Sequence, residues 1–194
     1  MPAPPAAVRQ TVRVTFDSEW VAGEFDGVLV ARTGARPAVR FQAFPDLGRK
    51  AIDLVASSQR IAGWLPATRQ GSDHATPLSG TPNAVDVLGV ILLERFAEIE
   101  ATGMREENGA WWVRVRPRIE CLDVAVRVRA DGTVARRRFE RGWAAWDEEI
   151  TAHGFTVTGY RMRFAVTVVE STPLDAVPDG TFDLKIPADA RPLD

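Results

Sequence analysis

From Gln10 onward the chain alternates apolar and polar positions in short runs. Val12, Val14 and Phe16 alternate with Thr11, Arg13 and Thr15, and similar runs follow at Glu24–Arg32, Ala38–Phe44, Lys50–Ser57 and Arg60–Leu65. Gly34, Pro37, the Asp46–Gly48 stretch and Ser57–Ser58 separate them, which predicts an antiparallel meander. The period then changes. Gln70–Gly80 reads as a polar loop. Thr81 stands as an N-cap before Pro82 at the first helical position. Val85, Leu88, Ile91, Leu92, Phe96 and Ile99 recur at three and four residues, the spacing of an amphipathic helix, which Gly103 is expected to end. Period two returns at Trp111–Val115, at Leu122–Val128, across an Asp131–Gly132 hairpin turn to Thr133–Arg141, at Ile150–Thr158, at Arg161–Val169, and at Thr181–Ile186 with Phe182, Leu184 and Ile186 inward.

These patterns predict a mainly β protein: a strongly curved antiparallel sheet, an unclosed barrel of about ten strands, with one helix as a lid. Each strand is apolar on one face, so the apolar faces need a cover, and a mid-chain helix is placed to plug the concavity. Residues 1–9, rich in Pro and Ala, form a flexible segment. Residues 10–194 form a single domain with the lid helix at 82–103. A hydrophobic pocket of roughly several hundred Å³ is expected between sheet and helix. Its lining or adjoining core draws on Phe16, Leu29, Phe41, Leu54, Trp64, Leu88, Leu92, Val113, Val126 and Phe164.

Composition narrows the function. A chain of 194 residues with 45% hydrophobic residues can bury a core without disulfides or metal. A formal net charge of -2 gives no bulk case for nucleic-acid binding. A single cysteine, Cys121, excludes an internal disulfide framework and reads as a buried small residue, and two histidines, His74 and His153, leave few routes to a metal cluster. Neither a cofactor nor a metal is expected. No apolar stretch approaches the ~20 residues of a membrane-spanning helix. Met1–Pro5 lacks the basic start and apolar core of a leader, which leaves either a cytosolic chain or one whose leader was removed.

Catalytic groupings are sparse. Ser72, Asp73 and His74 supply the residue types of a hydrolase triad, but adjacent side chains rarely converge, and no nucleophile elbow is present. Asp147, Glu148 and Glu149 point different ways on a strand and read as a solvated surface. Between Arg105 and Arg141 lie ten Arg and six acids with Trp111 and Trp112 near the start. Arginines with aromatics on a sheet can bind single-stranded nucleic acid, but these alternate with apolar positions as a wet outer face does. A partner of nucleic acid is therefore not expected.

Gly27–Ala31 followed by Arg36-Pro37 and Phe41, then Asp53–Gln59 with Trp64-Leu65, Thr76-Pro77 with the helix after Pro82, and the ending Val177–Pro187 follow one another in an order that resembles the bacterial outer-membrane lipoprotein carriers, the LolA/LolB superfamily. The resemblance implies an unclosed barrel with a helical lid whose dry interior holds acyl chains, with no acid, base or metal required. It implies non-enzymatic binding and transfer of lipidated proteins or lipids in outer-membrane lipoprotein localisation, in the periplasm or anchored at the outer membrane. The partners would be acyl chains of lipoproteins or other lipids and an inner- or outer-membrane transporter or acceptor protein. Arg36 matches the family's arginine that bonds the lid backbone and holds the closed state, expected here to reach Thr76–Val87. Three departures stand out: the family's long N-terminal amphipathic helix has no counterpart in Pro2–Arg9, the family's leader is not seen, and Gly142–Gly159 is longer than the shortest members require. The alternatives are an envelope sensor or assembly module of the same fold that binds a protein partner, and a cytosolic hydrolase using Ser72, Asp73 and His74.

Overall fold

The computed structural model describes residues 6–18, 22–45, 49–75, 83–108, 110–116 and 122–193. Alternation of apolar and polar side chains produces β1 (Ala7–Ser18), β2 (Ala22–Arg32), β3 (Ala38–Phe44), β4 (Ile52–Ser57), β5 (Arg60–Leu65) and β6 (Gln70–Ala75). The helix α1 (Ala84–Phe96) follows. The second half contains β7 (Ala101–Glu107), β8 (Ala110–Val115), β9 (Asp123–Val128), β10 (Val134–Arg141), β11 (Ala144–Thr151), β12 (Gly154–Gly159), β13 (Met162–Leu174) and the short β14 (Arg191–Pro192). All fourteen join one sheet in the order β14-β6-β5-β4-β3-β2-β1-β13-β12-β11-β10-β9-β8-β7. Two antiparallel meanders, β1–β6 and β7–β13, are thus sewn together by the long β1–β13 pair, and α1 is the connection between them. The sheet is curved but does not close: β14 and β7 are its two edges.

Local chemistry accounts for the turns. At the β9–β10 hairpin Asp131 Oδ1 accepts from the Thr133 amide and hydroxyl, and Gly132 takes the left-handed backbone. The concave faces of both meanders and α1 share one core, in which Phe16 stacks on Phe164 at 5.8 Å between ring centres and meets Phe25, Phe41 and, through Phe164, Phe155.

Several expectations shift. The helix is shorter than 82–103: it ends at Phe96, Ala97 is already extended, and Gly103 lies in β7, because the Ala101–Glu107 backbone finds a sheet partner in β8. The N-cap is Asn83, since its side chain and that of Asp86 form a reciprocal capping box. Thr81, Pro82, Thr76, Pro77 and Cys121 lie outside the described residues. Gln70–Ala75, expected as loop, is a strand, because β5 supplies a full ladder of partners. Among the described residues fourteen strands stand where about ten were expected.

Residues 181–186 do not add a strand. They cross the convex face as a strap, with Leu184 buried against Val55 and Ala62 and with Phe182 and Ile186 alongside. Arg40 donates to the Thr181 carbonyl and Arg60 to the Leu184 carbonyl, which satisfies backbone that has no ladder. The chain then rounds the β6 edge through β14, and Leu193 enters the concave core.

Under this strap Asp53 is buried at 2% exposure and accepts from Arg40, Gln42 and Lys50 at 2.7–2.9 Å. Burial pushes its pKa up, but these three donors outweigh burial and hold it below the ordinary 3.8. A depressed carboxylate stabilises the fold above the unfolded pKa and loses that contribution as pH falls through the lower folded value. Asp53→Asn should therefore cost about 2 kcal/mol at neutral pH. The gap to wild type should narrow as pH falls below 3.8, which urea titrations across that range would read.

Candidate functional site

The concavity is occupied by α1. Every residue from Val85 to Glu94 is buried, so the helix is covered on all sides and not only along one stripe. It sits against β3, β4 and β5, and two glycines set the approach. A Cβ on Gly63 would fall inside the contact radius of Val85, and one on Gly89 would lie 2.9 Å from Ile61 Cγ2. Helix and sheet each present a gap to the other's β-branched side chain.

Most of the expected lining residues converge here. Phe16, Leu29, Phe41, Leu54, Leu88, Leu92, Val126 and Phe164 belong to the concave core, and Val113 packs against it half-buried. Trp64 does not. It pairs with Asp53 across β4–β5 and faces the strap on the convex side, with Val55 and Ala62. Along β8, Val113 and Val115 face the concavity while Trp112 is buried on the convex side under the Arg138 guanidinium, 5.1 Å from its ring centre.

Among the described residues, the apolar space beside the N-terminal half of α1 is a crevice of about 20 Å³, room for about one water molecule and smaller than the several hundred Å³ expected. It opens at the N-terminal end of the helix, where Phe16, Ile52, Leu65, Val85, Leu88 and Met162 meet Leu193. The helix itself takes the place of the expected void.

Both ends of α1 carry buried charge. At the C-terminal end Arg95 bonds Glu148 Oε1, and Arg137 Nη1 bonds Glu148 Oε2 at 2.9 Å. Glu148 is 0% exposed, so the reading of Asp147–Glu149 as a solvated surface is corrected at its middle residue. Alternation directs Glu148 and Arg137 inward with Trp146 and Phe139, while Asp147 turns out to Arg138. The Arg95 guanidinium stacks on Phe155 with 3.8 Å to the ring centre. Burial lowers its pKa; Glu148 opposes that and Arg137 adds to it. The same alternation takes Arg137 out of the wet outer face on which the arginines of that stretch were mostly expected.

At the N-terminal end the buried Asp86 carboxylate caps Asn83 N–H and lies 3.1 Å from His74 Nδ1. Burial raises its pKa, against the pull of His74, Asn83 and Arg141. His74 thus serves the helix cap. Asp73 faces the opposite side of β6 and is held by Arg60 at 2.7 and 2.8 Å, so Ser72, Asp73 and His74 do not converge into a triad. His153 lies in the β11–β12 turn, its amide donating to Thr151 Oγ1. Among the described residues no group of three His, Cys, Asp or Glu is arranged to hold a metal, and no helix is long and apolar enough to cross a membrane.

Arg36 lies in the exposed β2–β3 turn, and its carbonyl accepts from Arg32 Nε. That turn touches the other end of the helix from the one expected: Gly34 N–H donates to the Phe96 carbonyl at 3.1 Å, and Gly34 bridges Ala97. Much of the segment that Arg36 was expected to reach, residues 76–82, lies outside the described residues.

The open, strongly curved antiparallel sheet around α1 is a LolA-like fold. A putative outer membrane lipoprotein-sorting protein domain from Vibrio parahaemolyticus aligns at a TM-score of 0.59 with 8% identity, over 92% of this chain and 89% of that one. A LolA superfamily protein from Nitrosomonas europaea aligns at 0.58 with 8% identity, over 93% and 91%. A DUF1329 family protein from Desulfovibrio piger aligns at 0.55 with 9% identity, over 92% and 90%. No sequence-family model matches the chain, and no curated protein matches it in sequence. At identities this low the likeness is one of fold.

Proposed function

We propose that the protein binds and transfers acyl chains of lipidated proteins or lipids, without catalysis, in the delivery of lipoproteins to the outer membrane. The observation that carries this reading is the helix: buried on every side and apolar from Val87 to Leu93, it lies in the concavity of a fold shared with a lipoprotein-sorting domain. A packed core normally needs only one apolar stripe from a helix. A second apolar face suits a plug that an acyl chain replaces. In this reading α1 swings away from β3–β5, and the chain occupies the surface lined by Phe16, Leu29, Phe41, Leu54, Val126 and Phe164, starting from the crevice at Met162 and Leu193. Leu88 and Leu92 ride on the moving element. The Arg36 turn acts as the latch at the C-terminal end of the helix, through the Gly34–Phe96 bond. The site of action is the bacterial envelope, with a membrane transporter or acceptor as partner.

Titration with a fluorescent fatty-acid probe tests the reading. Saturable binding is expected, in competition with unlabelled acyl chains, together with faster amide exchange in Val85–Phe96 on loading. Absence of saturable binding would remove the carrier reading. It would favour an envelope sensor or assembly module of the same fold, since a scaffold for a protein partner has no need to open.

A further inference from the structure

On the convex face, away from α1, the strands near the β7 edge enclose a polar depression of about 120 Å³. Small residues open it. Arg114 stands in register between Gly103 on β7 and Ala125 on β9. A Cβ on Gly103 would meet no atom within 4 Å, and Ala125 lines the depression with a single methyl group. Arg105 and Arg114 line it from β7 and β8, Asp123 and Glu140 from β9 and β10.

The charges around it are only partly matched. Asp123 and Glu140 stand directly opposite each other across β9–β10, and like charges so placed destabilise a sheet. Arg105 divides its Nη2 between Glu107 at 3.3 Å and Glu140 at 3.8 Å, while its Nε is buried without a hydrogen-bond partner. Arg116, the next residue of β8 on this face, is engaged by Glu100 at 3.1 Å. Among the described residues the Arg114 guanidinium and the Asp123 carboxylate have no ion-pair partner.

We infer that this depression binds a small zwitterion of the aminoalkyl phosphate class, with its ammonium between Asp123 and Glu140 and its phosphate on Arg105 Nε and Arg114. An ammonium between the two carboxylates removes their repulsion and gives Asp123 a counter-ion. Guanidinium groups arriving from two strands suit a phosphate, which presents oxygens in several directions, better than a planar carboxylate. A simple anion would meet the two acids and a simple cation the two arginines, so a molecule carrying both charges satisfies all four groups. The site is on the opposite face of the sheet from α1 and does not depend on the acyl-carrier reading.

Calorimetric titration with O-phosphoethanolamine tests the inference. One saturable site is expected, with inorganic phosphate and ethanolamine each binding about tenfold more weakly or less. Arg114→Gln and Asp123→Asn should each weaken binding of O-phosphoethanolamine about tenfold. Asp123→Asn should also be no less stable to urea than wild type, because it removes a carboxylate facing Glu140, so its loss of affinity is not a loss of fold. Vesicles containing phosphatidylethanolamine distinguish the sources of this chemistry. Competition with the soluble probe assigns the site to a lipid headgroup, and lack of competition to a free aminoalkyl phosphate. No saturable binding, equal affinity for inorganic phosphate, or unchanged affinity in both variants would overturn the inference.

Discussion

Glu148→Gln should destabilise the protein by about 3–5 kcal/mol, the largest effect expected of any single conservative change. Glu148 is the carboxylate between Arg95 and Arg137, and it has no exposed surface. Glutamine keeps the shape but loses the charge, leaving two guanidinium groups in the interior without a counter-ion and an N–H directed at one of them. The cost is mainly that of stranded charge, so replacing all three partners should behave differently. Arg95→Met/Glu148→Leu/Arg137→Met should regain most of the loss or exceed wild type, since well-packed apolar residues often equal a buried ion triad. Because Arg95 is on the last turn of α1 and the other two are on β11 and β10, Glu148→Gln should also raise amide exchange at the C-terminal end of the helix before global unfolding. Urea unfolding of the three chains gives the energies. A Glu148→Gln variant within about 0.5 kcal/mol of wild type would mean that the triad does not hold the helix.

Gly63→Ala should cost about 1–3 kcal/mol, although alanine is the smallest side chain that could be added. The new Cβ meets Val85, which stands on the first turn of α1 directly over β5. The helix must lift from the sheet or Val85 must leave its rotamer. Val85→Ala removes the obstructing methyl groups, so in combination with Gly63→Ala it should cost less than the two single changes added together, a coupling of about 0.5–3 kcal/mol. The same clash bears on ligand binding. Lifting the N-terminal end of the helix widens the crevice lined by Phe16, Val85 and Leu88. Gly63→Ala should therefore bind an acyl probe faster than wild type while being less stable. Equal stability, or additivity of the two changes, would show that the helix is not seated on Gly63.

Period-two alternation in Val12–Phe16, Val39–Ala43 and Phe164–Val168 was enough to predict curved one-sided strands, because a side chain's face on a strand follows from counting. The mid-chain helix was legible for a similar reason. Its ends were not. Helix termination at Phe96 depends on β8 offering a partner to Ala101–Glu107, and that is a long-range pairing no local propensity reports. Trp64 shows the limit of reading burial from residue type: both faces of β4–β5 are covered, one by α1 and one by the C-terminal strap, so an inward tryptophan and a convex one look alike in sequence.

The charged positions divide in the same way. Asp147–Glu149 and Arg136–Arg138 read as wet surface because consecutive charges usually are. Alternation alone would have placed Glu148 and Arg137 with Trp146 and Phe139, and that signal was present but outweighed by the composition of the run. What no sequence pattern contained is that Arg95, some fifty residues earlier on a helix, would arrive at Glu148 and make a buried acid tolerable. By itself, then, the sequence determined a sheet with one apolar face and a helix to cover it, since both follow from periods of two and 3.6 in local order. Only the tertiary structure decided that the helix fills the concavity, and that two glycines and a charge triad seat it there. Steric contact and charge pairing depend on where distant segments meet.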